Sequence, residues 1–195
     1  MFAVIGLIVI IVKLSLLGDH NEIAPEQFQS FNPMFVVLLT PIIVGWFGYL
    51  SKKVKEPSSP AKIGIGMIIT GLAYVIMIIA VTGVPSMLSL GGGSSSITVS
   101  PYWLMGTYFT LTIAELHLSP MGLSFVSKVS PPKMKGLMMG GWFWATAIGN
   151  YLSGFVGRFY QNWELWQFFL LLVITSFFAA LILKLFLKKL KHATE

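Results

Sequence analysis

Long apolar runs separated by short polar links set the pattern of this chain. A helix needs about 20 apolar residues to cross a bilayer. Five stretches meet that length, near 33–51, 63–83, 101–127, 136–157 and 165–187. The pattern therefore predicts an all-α membrane protein of five to six transmembrane helices. A sixth run, Phe2 to Leu17, is apolar except for Lys13. At 1.5 Å per residue it reaches only about 24 Å. Either it spans with little tilt while Lys13 snorkels, or its beginning lies outside the sequence. A secretory signal would place basic residues before the apolar run, and none stands there. The expected division is thus a first apolar segment, 1–17, and a bundle over 18–195.

Composition supports this reading. Hydrophobic residues make up 55% of the 195 residues and charged residues 10%, against about 25% charged in a soluble domain. The chain has no cysteine, which excludes a disulfide scaffold and thiolate zinc sites. The net charge of +6 would suit a nucleic-acid partner, but the lysines flank apolar spans, so none is expected. Alternating the sides of successive spans puts the 52–62 link, the 128–135 link and the tail together. Every basic residue except Lys13 and Arg158 lies on that side. By the positive-inside rule it is cytoplasmic. A multi-pass protein of the cell inner (plasma) membrane is expected, with both termini cytoplasmic if residues 1–17 span.

Glu115 is the most informative polar position. It falls in mid-span, where insertion of an acid costs about 2.5–3.5 kcal/mol, and such residues mark ion or substrate paths. Tyr108, Thr112, Glu115 and Ser119 follow at spacings of 4, 3 and 4 and share a helix face. His117 points elsewhere and reads as a packed polar residue with a backbone partner. Pro41 and Pro120 interrupt two spans and suit helices that bend at a gate. Gly141, Ala145, Gly149, Ser153 and Gly157 recur every four residues, a stripe that lets another backbone approach. Trp142 and Thr146 lie four apart on another face and can line a cavity together. Asn32-Pro33 reads as an N-cap followed by a first-turn proline. No His-Glu-x-x-His, Gly-x-Ser-x-Gly or second core acid is present, so no enzyme activity is expected.

One stretch carries a resemblance. Ala114-Glu115-Leu116-His117-Leu118-Ser119-Pro120-Met121-Gly122-Leu123-Ser124 resembles the Glu-x-x-x-Ser-Pro-x-Gly-Leu-Ser signature of the proton-dependent oligopeptide transporters, a family of the major facilitator superfamily. Phe28 to Val36 is similar to the start of that family's eighth helix, and Pro57 to Lys62 to the link that follows. Met138-Met139-Gly140-Gly141-Trp142-Phe143 is similar to its eleventh-helix motif, continued by Gly149-Asn150. The resemblance implies import of di- and tripeptides with the proton as coupling ion and no other cofactor. It implies that Glu115 receives the peptide amino group beside Asn32, and that Trp142 shapes a side-chain pocket near Ser119 and Thr146; Tyr108, on the Glu115 face, is a further candidate for substrate binding. It further implies gating by the helices that contain Pro41 and Pro120. The family's first-helix Glu-x-x-Glu-Arg and seventh-helix Phe-Glu-Gln motifs are absent. The expectation is therefore a C-terminal half, not competent for transport alone, whose partner is a missing N-terminal six-helix half. The alternative is a non-transporting remnant or a regulatory membrane protein that packs on a full-length transporter.

Overall fold

A computed structural model describes residues 28–53, 57–85 and 99–192; the 1–17 segment and its expected span lie outside them. Five helices follow in order: α1 Phe31–Lys53, α2 Ser59–Val81, α3 Pro101–Val129, α4 Lys135–Gly157 and α5 Leu165–His192. Short 3₁₀ turns at Pro132–Met134 and Arg158–Gln161 flank α4. There is no strand among the described residues.

The ends of these helices have local causes. Pro101 opens α3 directly after Ser100, using a position whose N–H has no helical partner anyway. α3 stops at Ser130 before Pro131-Pro132, where the α conformation is disfavoured; the Ser130 hydroxyl bonds back to the Val126 carbonyl. α2 ends at Val81, and Gly83 just beyond it has a φ of 85°, the left-handed turn that glycine adopts without a Cβ clash. Within the spans, Thr40, Thr70, Thr107, Thr110 and Ser176 return their hydroxyls to carbonyls four residues back. That bond satisfies a donor which lipid cannot. α1 and α3 run unbroken through Pro41 and Pro120.

Among the described residues, three helices are long and apolar enough to cross a membrane: Phe31–Lys52, Ser59–Val81 and Leu165–Leu187. α3 and α4 are as long, at 29 and 23 residues, but more polar, with Thr107, Thr110, Thr112, Glu115, His117 and Ser119 on α3 and Thr146, Asn150 and Ser153 on α4. The spans expected at 101–127 and 136–157 exist as helices and fall short in apolarity because they carry the polar positions.

α2 is the centre of the packing, set between α3 and α5, with α1 against α3. Lipid and Leu are equally apolar, so close backbone approach rather than hydrophobicity drives such contacts. A methyl on Gly66 would stand 2.9 Å from the Ala114 carbonyl oxygen and from Leu118 Cγ. On the α5 side, Phe177 lies over Gly71. Large apolar side chains such as Ile42, Trp46, Leu72, Phe178 and Leu185 point outward, as lipid-facing surface requires. Lys62 and Lys128 line one polar cavity of about 380 Å³ with Ser58 and Ser124. Lys184 flanks the same end of α2, beside Pro60 and Ala61. The lysine-bearing ends thus meet at one end of the bundle.

The small-residue stripe of α4 does not play its expected part. Gly141, Gly149 and Gly157 have nothing near them among the described residues, and no residue of α4 is buried. Close packing falls instead on Gly66, Gly71 and Gly122 of α2 and α3.

Candidate functional site

α1 and α3 come together at polar groups near the start of α1 and the middle of α3. The Asn32 Nδ2 donates to Glu115 Oε2 at 3.3 Å. Thr112 Oγ1 donates to Asn32 Oδ1 at 2.9 Å and also lies 2.8 Å from the Tyr108 carbonyl oxygen. Thr112 is fully buried, while Glu115 and Ser119 are exposed. Exposure changes along this helix face. The face runs from the α1 contact at Thr112 to an open side of the bundle at Glu115 and Ser119.

Asn32 is not the helix cap that its place before Pro33 suggests. α1 begins at Phe31, and the Met34 N–H bonds to the Ser30 carbonyl. The Asn32 side chain is therefore released from capping and reaches α3. Phe35 fixes the approach by packing edge-on to Phe109, with centroids 5.5 Å apart.

Trp142 stands on α4, with its six-membered ring directly over Gly122; a Cβ there would overlap the ring. Gly122 is seven residues past Glu115, which is about 10 Å along the helix. Thr146 lies one turn further along α4, exposed, with its hydroxyl on the Trp142 carbonyl at 2.9 Å. Glu115, Asn32 and Thr112 thus form one hydrogen-bonded chain with Asn32 in the middle, and of Tyr108 only the backbone carbonyl joins it. Trp142 and Thr146 form a second group, joined to α3 through Gly122. Pro41 and Pro120 are both exposed.

His117 takes the packed role expected of it. It is 9% exposed, and its Nδ1 lies 2.8 Å from the Ile113 carbonyl oxygen. Its ring meets Phe47 edge-on at 5.1 Å, and Lys62 Nζ stands 4.2 Å from the centre of the same Phe47 ring. Phe47 therefore ties α1 to α2 and α3 at a level distant from Asn32. Sequence reasoning missed Phe47, Thr112's bonding role and the Gly122–Trp142 contact. Thr112 had a signal, since it shares the Glu115 face. The other two are long-range pairings with no local mark.

Across known proteins, residues 7–170 match the POT family. The chain belongs to the POT family. Peptide transporter YePEPT of Yersinia enterocolitica subsp. palearctica is 38% identical over 136 residues, covering 70% of this chain and 25% of that protein. Dipeptide and tripeptide permease A of Escherichia coli K12 is 32% identical over 147 residues, covering 74% and 26%. A crystal structure of a mutant POT peptide transporter in complex with alafosfalin superposes with a TM-score of 0.74 and 27% identity, over 91% of this chain and 34% of that one. A POT family transporter in complex with 5-aminolevulinic acid gives 0.68 and 28%, over 83% and 31%. The chain spans about a quarter of the length of the curated relatives it matches. The fold is that of POT transporters, helices of a major facilitator architecture, and the two curated relatives named here are transporters of peptides.

Proposed function

We propose that this chain supplies the amino-group side of the peptide site of a proton-coupled di-/tripeptide symporter, acting together with an N-terminal six-helix half. The observation that carries the reading is the Asn32–Glu115 pair, bonded across α1 and α3 at 3.3 Å with the carboxylate open to the outside of the bundle. A carboxylate in a medium of low dielectric attracts an ammonium strongly, and the N–H that Asn32 donates helps orient that carboxylate. Protonation of Glu115 removes the charge that holds the ligand, which supplies a coupling step with the proton alone. Trp142, over Gly122 two turns along α3 from the pair, shapes the pocket for the peptide side chain together with Thr146, Ser119 and Tyr108. Pro41 and Pro120 are the bending points of the gate. The lysine-rich end faces the cytoplasm of a cell whose inner membrane holds the protein. The uncovered face of α4 supports the need for a neighbouring half, as alternating access rocks one half on the other.

The test uses the chain assembled with an N-terminal half and a single introduced thiol, Ser119→Cys, in a sequence that has no other cysteine. A free-amine dipeptide should slow maleimide labelling there, and its N-acetylated form should not. Equal protection by both, or by neither, contradicts the amino-group assignment.

A further inference from the structure

Thr112 has one hydroxyl proton and two acceptors in reach, Asn32 Oδ1 at 2.9 Å and the Tyr108 carbonyl at 2.8 Å. It is fully buried. Its other acceptor, the Tyr108 carbonyl, already receives the helical N–H of residue 112. A hydroxyl can donate or accept, and an asparagine amide offers an acceptor at one end and donors at the other. The three side chains Thr112, Asn32 and Glu115 therefore form a chain whose direction can reverse.

We propose that Thr112 is a positioning residue that keeps the Asn32 amide partnered in both charge states of Glu115 by reversing that chain. With Glu115 ionised, Thr112 O–H donates to Asn32 Oδ1 and Asn32 Nδ2–H donates to Glu115 Oε2, as seen. A carboxylate only accepts, so this direction is forced. When one proton arrives on Glu115, the carboxyl O–H becomes the donor. The Asn32 amide turns over and accepts it at Oδ1, then donates from Nδ2 to Thr112 Oγ1. The Thr112 O–H rotates to donate to the Tyr108 carbonyl oxygen, which already lies within bonding distance. No covalent bond changes except the one formed by the added proton. Valine at 112 has the same branched shape and no hydroxyl, so it leaves one end of the amide without a partner. That loss falls hardest on the neutral state, because an ionised Glu115 still holds the N–H.

Glu115 makes its hydrogen bond among the described residues to Asn32. The other titratable side chains of the packed helices are Tyr49 and Lys52 at the far end of α1, Lys62 and Tyr74 on α2, and Lys135 and Tyr151 on α4. On α3 itself they are Tyr102, Tyr108, His117 and Lys128. Lys62 stands against Phe47 and His117 against Phe47 and Ile113. The relay deepens the peptide-site reading, in which Glu115 must change charge, and it is measured separately from transport.

The test is side-chain amide exchange by NMR on the full chain, labelled with ¹⁵N-asparagine, in lipid nanodiscs. Asn32→Ala identifies the Asn32 signal, and exposed Asn162 is the reference. Asn32 NH₂ should exchange with water at least about fivefold more slowly than Asn162 on both sides of the Glu115 titration and in Glu115→Gln. Thr112→Val should remove most of that protection in the Glu115→Gln background and less of it where residue 115 is a carboxylate. Thr112→Ser should restore it. An unchanged Asn32 signal in Thr112→Val with Glu115→Gln overturns the relay. Should Thr112→Val fail to fold, the unmodified chain decides: fast Asn32 exchange on the neutral side overturns the relay, and slow exchange on both sides supports it. None of these readouts depends on peptide uptake, so the relay and the peptide site can fail independently.

Discussion

At the residue scale, the site rests on which side chain Asn32 serves. Its position before Pro33 carries the sequence signal of a cap, and the same two letters also fit a helix that starts one residue earlier. Sequence could not choose, because the deciding partners, Thr112 and Glu115, lie 80 and 83 residues away. Glu115 itself was legible, since a mid-span acid stands out against apolar neighbours. Asn32→Asp tests the pairing at this scale. It replaces a donor to Glu115 with a second acid at the same contact, and two like charges side by side favour uptake of a proton. The two acids should share a proton, and the α1–α3 contact should become pH-dependent, measured as a melting temperature that falls on raising the pH. A pH-independent melting temperature equal to that of the unmodified chain would show that the pair is not formed. Phe47→Leu should cost about 0.5–2 kcal/mol of α1 association through loss of the Lys62 contact, read from denaturation of the chain in detergent.

At the element scale, the five helices are where the apolar runs put them, because run length and flanking Pro, Ser and Gly mark their ends locally. Helix neighbours were not legible. The stripe on α4 predicted a tight contact, yet Gly141, Gly149 and Gly157 meet nothing among the described residues, while Gly66 and Gly122, which belong to no stripe, make the close approaches. A stripe states that a backbone can approach; it does not state which one. Gly66→Ala would press a methyl on the Ala114 carbonyl and Leu118. Overpacking of this kind costs about 1–3 kcal/mol, and the expected result is a lower melting temperature. Gly122→Ala should push the Trp142 ring off α3 and shift its fluorescence, with little change in helix content by circular dichroism. An unmoved emission spectrum would mean the ring does not rest on Gly122.

At the scale of the whole molecule, the lysine pattern and the packing agree. Lys62, Lys128 and Lys184 meet at one end of α2, as the alternation of sides requires. Thiols introduced as Ser58→Cys or Ser124→Cys, in a chain without cysteine, should label only from the cytoplasmic side in right-side-out membranes after permeabilisation. The family was legible because the Glu115-to-Ser124 motif is long and specific. What the site does in a complete transporter was less legible, since the chain spans about a quarter of its curated relatives. The central claim is that Glu115 holds the peptide amino group. The most direct measurement is proton-driven uptake of a free-amine dipeptide by the chain assembled with an N-terminal half, with Glu115→Gln beside the unmodified sequence. The account predicts that Glu115→Gln abolishes uptake while leaving the assembly intact by size exclusion. Uptake at the unmodified rate with Glu115→Gln would contradict it.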